Sequence, residues 1–98
     1  MAEERAREYI DAISKEGLKT AFIYGNPRGT DVDLCIVSEK SEHLKAVPEG
    51  IDLKVLTPQE FEKKLAIFGK QAVEFRCLEG REYLSETIRK LNLQIPIR

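Results

Sequence analysis

Leu34-Cys35-Ile36-Val37 is apolar without a break, and two aspartates, Asp31 and Asp33, stand at its head. A continuous apolar run of this length suits a strand with no wet face, so helices must cover the sheet that holds it. The acids at its start must lie outside that cover. Residues two apart on a strand point the same way. Asp31 and Asp33 therefore project together from one end of a sheet. A third acid, Asp52, stands at the head of the next apolar run, Ile51 to Leu56. Like charges held close raise one another's pKa unless a cation joins them. The pattern thus raises the question of a divalent metal with a phosphate.

The remaining elements follow from periodicity and punctuation. Residues Glu3 to Glu16 predict a helix with Ala6, Tyr9, Ile10 and Ile13 as one apolar stripe, ended by Gly17. Thr20 to Tyr24 predicts the first strand and leads into the turn-rich loop Gly25-Asn26-Pro27-Arg28-Gly29-Thr30. Asp31 to Val37 is the second strand. Ser38 to Gly50 is the most polar stretch, with a short helical turn around Ser41 to Ala46, and it holds His43, read as a solvated histidine. Ile51 to Leu56 is the third strand, with Ile51, Leu53 and Val55 on one face and Asp52, Lys54 and Leu56 on the other. Thr57, Pro58 and Glu60 form the N-cap, N1 and N3 of a capping box, and Leu56 with Phe61 a hydrophobic staple. The stripe of that helix is Phe61, Leu65 and Phe68, and Gly69 is expected to stop it. Ala72 to Leu78 alternates as a half-exposed edge strand, and Arg81 to Leu91 closes the chain with a helix whose stripe is Leu84, Ile88 and Leu91. The tail, in which Ile95 and Ile97 flank Pro96, is either pinned to the core or free for a partner. The fold class is α/β (α+β): a mixed sheet of about four strands with helices packed mainly on one face, as a single domain over residues 1–98.

Composition narrows the function classes. The chain has 98 residues, enough for one modest core. Sixteen basic against 17 acidic residues leave a net charge of -1, so bulk charge gives no case for nucleic-acid or membrane binding. No apolar run approaches the roughly 20 residues that span a bilayer. The first ten residues carry both signs of charge and no apolar core, unlike a signal peptide. Cys35 and Cys77 lie in apolar strand-like runs and read as small buried hydrophobes rather than zinc ligands. A cytoplasmic, reducing compartment is expected.

The chemistry of the acids is that of a hard cation. Mg²⁺ takes oxygen ligands, usually one or two carboxylates with phosphates and water. Asp31 and Asp33 can hold metal, and Asp52 can complete the site or take a proton from an attacking hydroxyl. Gly25 lets backbone approach a phosphate, and N–H groups of the loop can donate to its oxygens. Arg28 offers a planar fork for phosphate. Lys54, on the Asp52 side of its strand, can contact phosphate or offset the acids. An Asp-x-Asp pair by itself is weak evidence, since aspartates often open strands; the preceding glycine turn and the third aspartate strengthen it.

YGNPRGTDVDLCIV followed by IDLKVLTPQEFEKKL resembles the nucleotidyltransferase superfamily, the DNA polymerase beta-like group, and specifically its minimal, stand-alone branch. The likeness spans roughly Thr20 to Phe68. That family has a Gly-Ser turn after its first strand, an Asp-x-Asp opening the second, and a third aspartate on a later strand. Gly25, Asp31, Asp33 and Asp52 match these positions. The resemblance implies a mixed α/β sheet and Mg²⁺-dependent transfer of a nucleoside monophosphate from an NTP, ATP being expected, to an acceptor with release of pyrophosphate. It implies catalytic and metal-binding roles for Asp31, Asp33 and Asp52, and a nucleotide-binding role for the turn at Gly25 and Asn26; Arg28, Thr30 and Lys54 are expected, from their own chemistry, to meet the nucleotide as well. Many minimal members resemble one half of a two-component, toxin-antitoxin-like pair whose other half is all-helical, so the acceptor expected is a hydroxyl on such a partner. Self-association is a further expectation.

Two departures bear on activity. Asn26 stands where the family has serine, and Pro27 removes a backbone donor directly after it. Only NPRGT separates Gly25 from Asp31, where the family usually has a helical turn whose N-terminus faces phosphate. A second reading is therefore a catalytically degenerate nucleotidyltransferase-fold module that binds a partner through the tail and the Ala72–Leu78 edge. A Toprim-like domain is disfavoured because no acid lies between Gly17 and Asp31.

Overall fold

The computed structural model describes residues 2–25, 31–40, 46–71 and 74–98. The elements are α1 (Ala2–Ala12), β1 (Leu18–Tyr24), β2 (Val32–Ser38), β3 (Ile51–Leu56), α2 (Pro58–Gln71), β4 (Arg76–Glu79) and α3 (Arg81–Lys90). They build a four-stranded mixed sheet in the order β3-β2-β1-β4. β1 is antiparallel to both β2 and β4, whereas β2 and β3 run parallel. The expected fold class is thus the observed one. The predicted helical turn around residues 41–46 and His43 fall on or beside residues 41–45, which lie outside the described residues.

β2 is central, and Leu34 to Val37 are fully buried. Alternation along the strands divides the core in two. Ala21, Leu34, Ile36 and Ile51 face α1, which presents Ala6, Tyr9 and Ile10, with Ile13 directly after its end. Phe22, Cys35, Val37 and Leu56 face α2 and α3, which present Phe61, Leu65, Phe68, Leu84 and Ile88. The second layer is organised by aromatic rings. Phe22 stacks on Phe75 with centroids 4.5 Å apart and meets Phe61 at 5.6 Å and Phe68 at 6.2 Å. Such pairs add to the burial of large apolar surfaces.

The capping box at the start of α2 is formed as the sequence predicts. Thr57 N–H donates to Glu60 Oε1 (2.9 Å), and Glu60 N–H donates to Thr57 Oγ1 (3.2 Å). These bonds favour the charged carboxylate and hold Glu60 below its usual pKa.

Element boundaries differ from expectation at several points. Helix α1 ends at Ala12 rather than Glu16. The Lys15 ammonium donates to the carbonyls of Ile10 and Ile13, and Ser14 Oγ accepts the Glu16 N–H. Side chains thus satisfy backbone groups that another helical turn would have used. Gly17, at φ +77°, turns the chain into β1 instead of capping the helix. Gly69 does not stop α2, which continues to Gln71. A Cβ there would lie 2.9 Å from Ile95 Cδ1, so this glycine makes room for the tail.

The tail itself is pinned. Phe75 N–H donates to Pro96 O (2.8 Å), Arg98 N–H to Phe75 O (2.7 Å) and Cys77 N–H to Arg98 O (2.9 Å). Ile97 bridges Phe75 in parallel, so the end of the chain covers the outer edge of β4. The regular strand there is shorter than the predicted Ala72–Leu78, beginning at Arg76; Ala72 and Val73 lie outside the described residues.

Replacing Phe61, which is fully buried against Phe22, with alanine removes a ring at the centre of this layer. Phe61→Ala is expected to lower unfolding stability by about 3–5 kcal/mol in urea titration.

Candidate functional site

The parallel register of β2 and β3 places Asp33 directly beside Asp52. Neighbouring strands lie about 4.8 Å apart, so the two carboxylates share one patch of sheet. The antiparallel register of β1 adds Tyr24 on the other side of Asp33. Asp52, Asp33 and Tyr24 therefore form one row across three strands, on the α2/α3 face. The next row inward is Lys54, Cys35 and Phe22, and the row beyond is Leu56, Val37 and Thr20. Polarity thus falls from the acid row at the open end of the sheet to an apolar interior.

The electrostatics of the row are those of an under-compensated acid pair. The Asp33 pKa is raised, first by burial, then by the charges of Asp52 and Asp31, with a side-chain hydrogen bond to Asp52 acting in the same direction; Lys54 opposes the shift. Carboxylates this close repel one another unless a cation joins them. Tyr24 is pushed up to about 12 by burial, with Cys35, Asp33 and Asp52 adding to it. Its phenol is neutral at physiological pH, and its ring packs on Phe68 at 4.6 Å. Cys35 is likewise pushed up to about 12 by burial, with Lys54 and Lys64 opposing, so its thiol is neutral as well. Lys54 Nζ lies 5.8 Å from the centroid of the Phe68 ring, within cation–π range.

Gly25 closes the row at the end of β1. Its φ is +92°, a left-handed conformation. A Cβ at this position would lie 2.2 Å from Asp33 Oδ2 and 3.2 Å from Asp33 Cγ. Both facts require glycine, the first for backbone conformation and the second for space. The backbone therefore passes directly over one carboxylate oxygen.

Of the residues predicted for the site, Asp33 and Asp52 are brought together, with Gly25 against Asp33 and Lys54 one row inward. Asp31 is exposed just before β2, near enough to raise Asp33. Asn26, Arg28 and Thr30 lie outside the described residues. Among the described residues no group of three His, Cys, Asp or Glu side chains is gathered as a metal cage. The donor set is two carboxylates side by side, one half-buried and one exposed, which fits a cation that completes its shell with water and phosphate. Tyr24 is the residue that sequence reasoning missed. Its signal was parity: it precedes Gly25, so an antiparallel turn sets it opposite one of the two aspartates.

No protein-family model, curated protein or solved structure matches the chain.

Two outcomes follow from this geometry. Gly25→Ala meets both a left-handed backbone and the Asp33 carboxylate, so it is expected to lose more than about 1 kcal/mol of stability, read by chemical denaturation. Asp33→Asn offers an amide donor to Asp52 and removes one charge. Because the folded pKa of Asp33 is raised, the folded state binds the proton more tightly, and wild-type stability from this group falls as pH rises through that value. Asp33→Asn is therefore expected to melt higher than wild type at pH 7 without divalent cations. The difference should shrink as pH falls toward the ordinary carboxylate value of 3.8.

Proposed function

We propose that this chain is a minimal nucleotidyltransferase that uses Mg²⁺ and an NTP, ATP being the first candidate. The observation that carries the proposal is the side-by-side placement of Asp33 and Asp52 with Gly25 folded onto Asp33. Asp33 and Asp52, assisted by Asp31, are the residues to hold the ion. When bound, Mg²⁺ supplies positive charge that neutralises the carboxylates and the triphosphate. Gly25 leaves the approach to Asp33 clear of any side chain. Arg28, Asn26 and Thr30 are proposed to meet the phosphates, and Lys54 to balance charge one row inward. In the transfer, an acceptor hydroxyl oxygen bonds to the α-phosphorus, the bond to the β-phosphate oxygen breaks, and pyrophosphate leaves. Asp52, exposed at the edge of the row, is the carboxylate proposed to receive the hydroxyl proton. Tyr24, neutral and packed on Phe68, forms the apolar flank of the acid pair.

An all-helical protein carrying the acceptor hydroxyl is the proposed partner. No helix among the described residues is long and apolar enough to cross a membrane, and two free thiols, Cys35 and Cys77, suit the reducing cytoplasm proposed as its location.

Thermal melting tests the proposal. Millimolar Mg²⁺ with ATP, at about ten times the dissociation constant, is expected to add about 1.4 kcal/mol of stability and several degrees to Tm. Asp31→Ala with Asp33→Ala is expected to abolish the rise. Absence of any shift in wild type at millimolar nucleotide overturns the proposal. A shift without incorporation of labelled nucleotide into a helical partner assigns the chain instead as a non-catalytic nucleotide-binding module.

A further inference from the structure

The two edges of the sheet are treated differently. β4 is four residues long and its outer edge is covered by the tail. β3 is six residues long and contains no proline. Among the described residues nothing hydrogen-bonds to its outer edge. An uncovered, regular edge strand is a template for another strand.

The register shows which groups that edge offers. Val32 N–H donates to Gly50 O (2.8 Å), and Val32 pairs with Ile51 in the parallel ladder. In that pattern Asp52, Lys54 and Leu56 spend their backbone groups on β2. The N–H and C=O groups of Ile51, Leu53 and Val55 then point outward. Their side chains lie on the α1 face, where Leu53 and Val55 remain only half-buried. Asp52 and Lys54 are both exposed on the opposite face.

We infer that β3 pairs antiparallel with β3 of a second copy of this chain, about a two-fold axis through Leu53, so that Asp52 of each copy faces Lys54 of the other. The pattern is self-complementary. With Leu53 opposite Leu53, the outward groups of Ile51 and Val55 meet those of Val55 and Ile51. The half-buried side chains of the α1 face cover one another. Asp52 and Lys54 fall on the non-hydrogen-bonded pairs, where opposed side chains come closest. Neighbouring registers fail. A shift that keeps the hydrogen bonds sets Asp52 against Asp52 in one direction and Lys54 against Lys54 in the other. A shift of the other parity sets outward groups against residues already bonded to β2. Charge thus selects both the occupant and the register. The pairing also brings a cation to the acid row: Lys54 of the second copy sits beside Asp52, which contacts Asp33. The inference stands apart from the nucleotidyl-transfer reading, since it needs neither metal nor nucleotide.

Sedimentation equilibrium of the wild-type chain is expected to give a dimer. Asp52→Lys alone and Lys54→Asp alone each oppose like charges in both cross-strand pairs, and each is expected to weaken self-association about tenfold or more. An equimolar mixture of the two single variants restores opposite charges at both pairs and is expected to associate as a heterodimer. A measurement without variants completes the test. The amides of Ile51, Leu53 and Val55 should exchange with solvent more slowly as wild-type concentration rises, whereas those of Asp52 and Lys54, bonded within the sheet, should not change. A monomeric wild type up to millimolar concentration overturns the inference. So does undiminished self-association of Lys54→Asp, or exchange at Leu53 that is independent of concentration.

Discussion

The parallel pairing of β2 with β3 is the constraint on which the rest of this structure depends. It sets Asp33 beside Asp52 at one end of the sheet and Val37 beside Leu56 at the other. A parallel pair needs its connection to return along the sheet, and the polar stretch after β2 provides the length. Because β2 is central, its apolar run is covered by α1 on one face and by α2 with α3 on the other. The acids can be held close only because that buried run fixes the strand beneath them. A slip of one residue would turn Asp33 toward α1 and Leu34 toward the aromatic layer.

The same alternation allots the molecule's chemistry. One face of β1, β2 and β3 carries the acid row, then Lys54 with the neutral Cys35 thiol, then the apolar rows that meet α2. The raised pKa of Asp33 follows from this geometry: burial on one side, carboxylates on two others, and a lysine whose opposing effect is the smallest. Such a row is destabilising without a cation. A bound cation, or a lysine from a second copy at Asp52, would relieve that repulsion.

Glycines divide the work in ways that residue type alone does not announce. Gly25 is required by both conformation and space, because Asp33 occupies the position of its missing Cβ. Gly80 at the head of α3 adopts φ +71° with a Cβ position only 2.1 Å from Lys19 O. Gly69 sits inside a helix and gives its space to Ile95. Read along the chain, Gly69 resembles a helix stop; the tail that needs the room lies far away in sequence, and no local pattern could reveal it. The early end of α1 has a similar cause. The apolar stripe of that helix runs through Ile13, but Lys15 and Ser14 satisfy the backbone groups that decide where it stops.

The sequence by itself determined the strands and helices, the two-sided burial of β2, the capped start of α2 and the place of the acids at the heads of two strands. Each of these follows from period, parity or a local cap, which are properties of neighbouring residues. Tertiary structure alone decided that Asp33 meets Asp52, that Tyr24 flanks the acids, that Gly69 admits the tail, that the tail seals β4, and that no other strand among the described residues pairs with the outer edge of β3. Those outcomes depend on which strands become neighbours, and that is settled by burying surfaces from distant parts of the chain against one another.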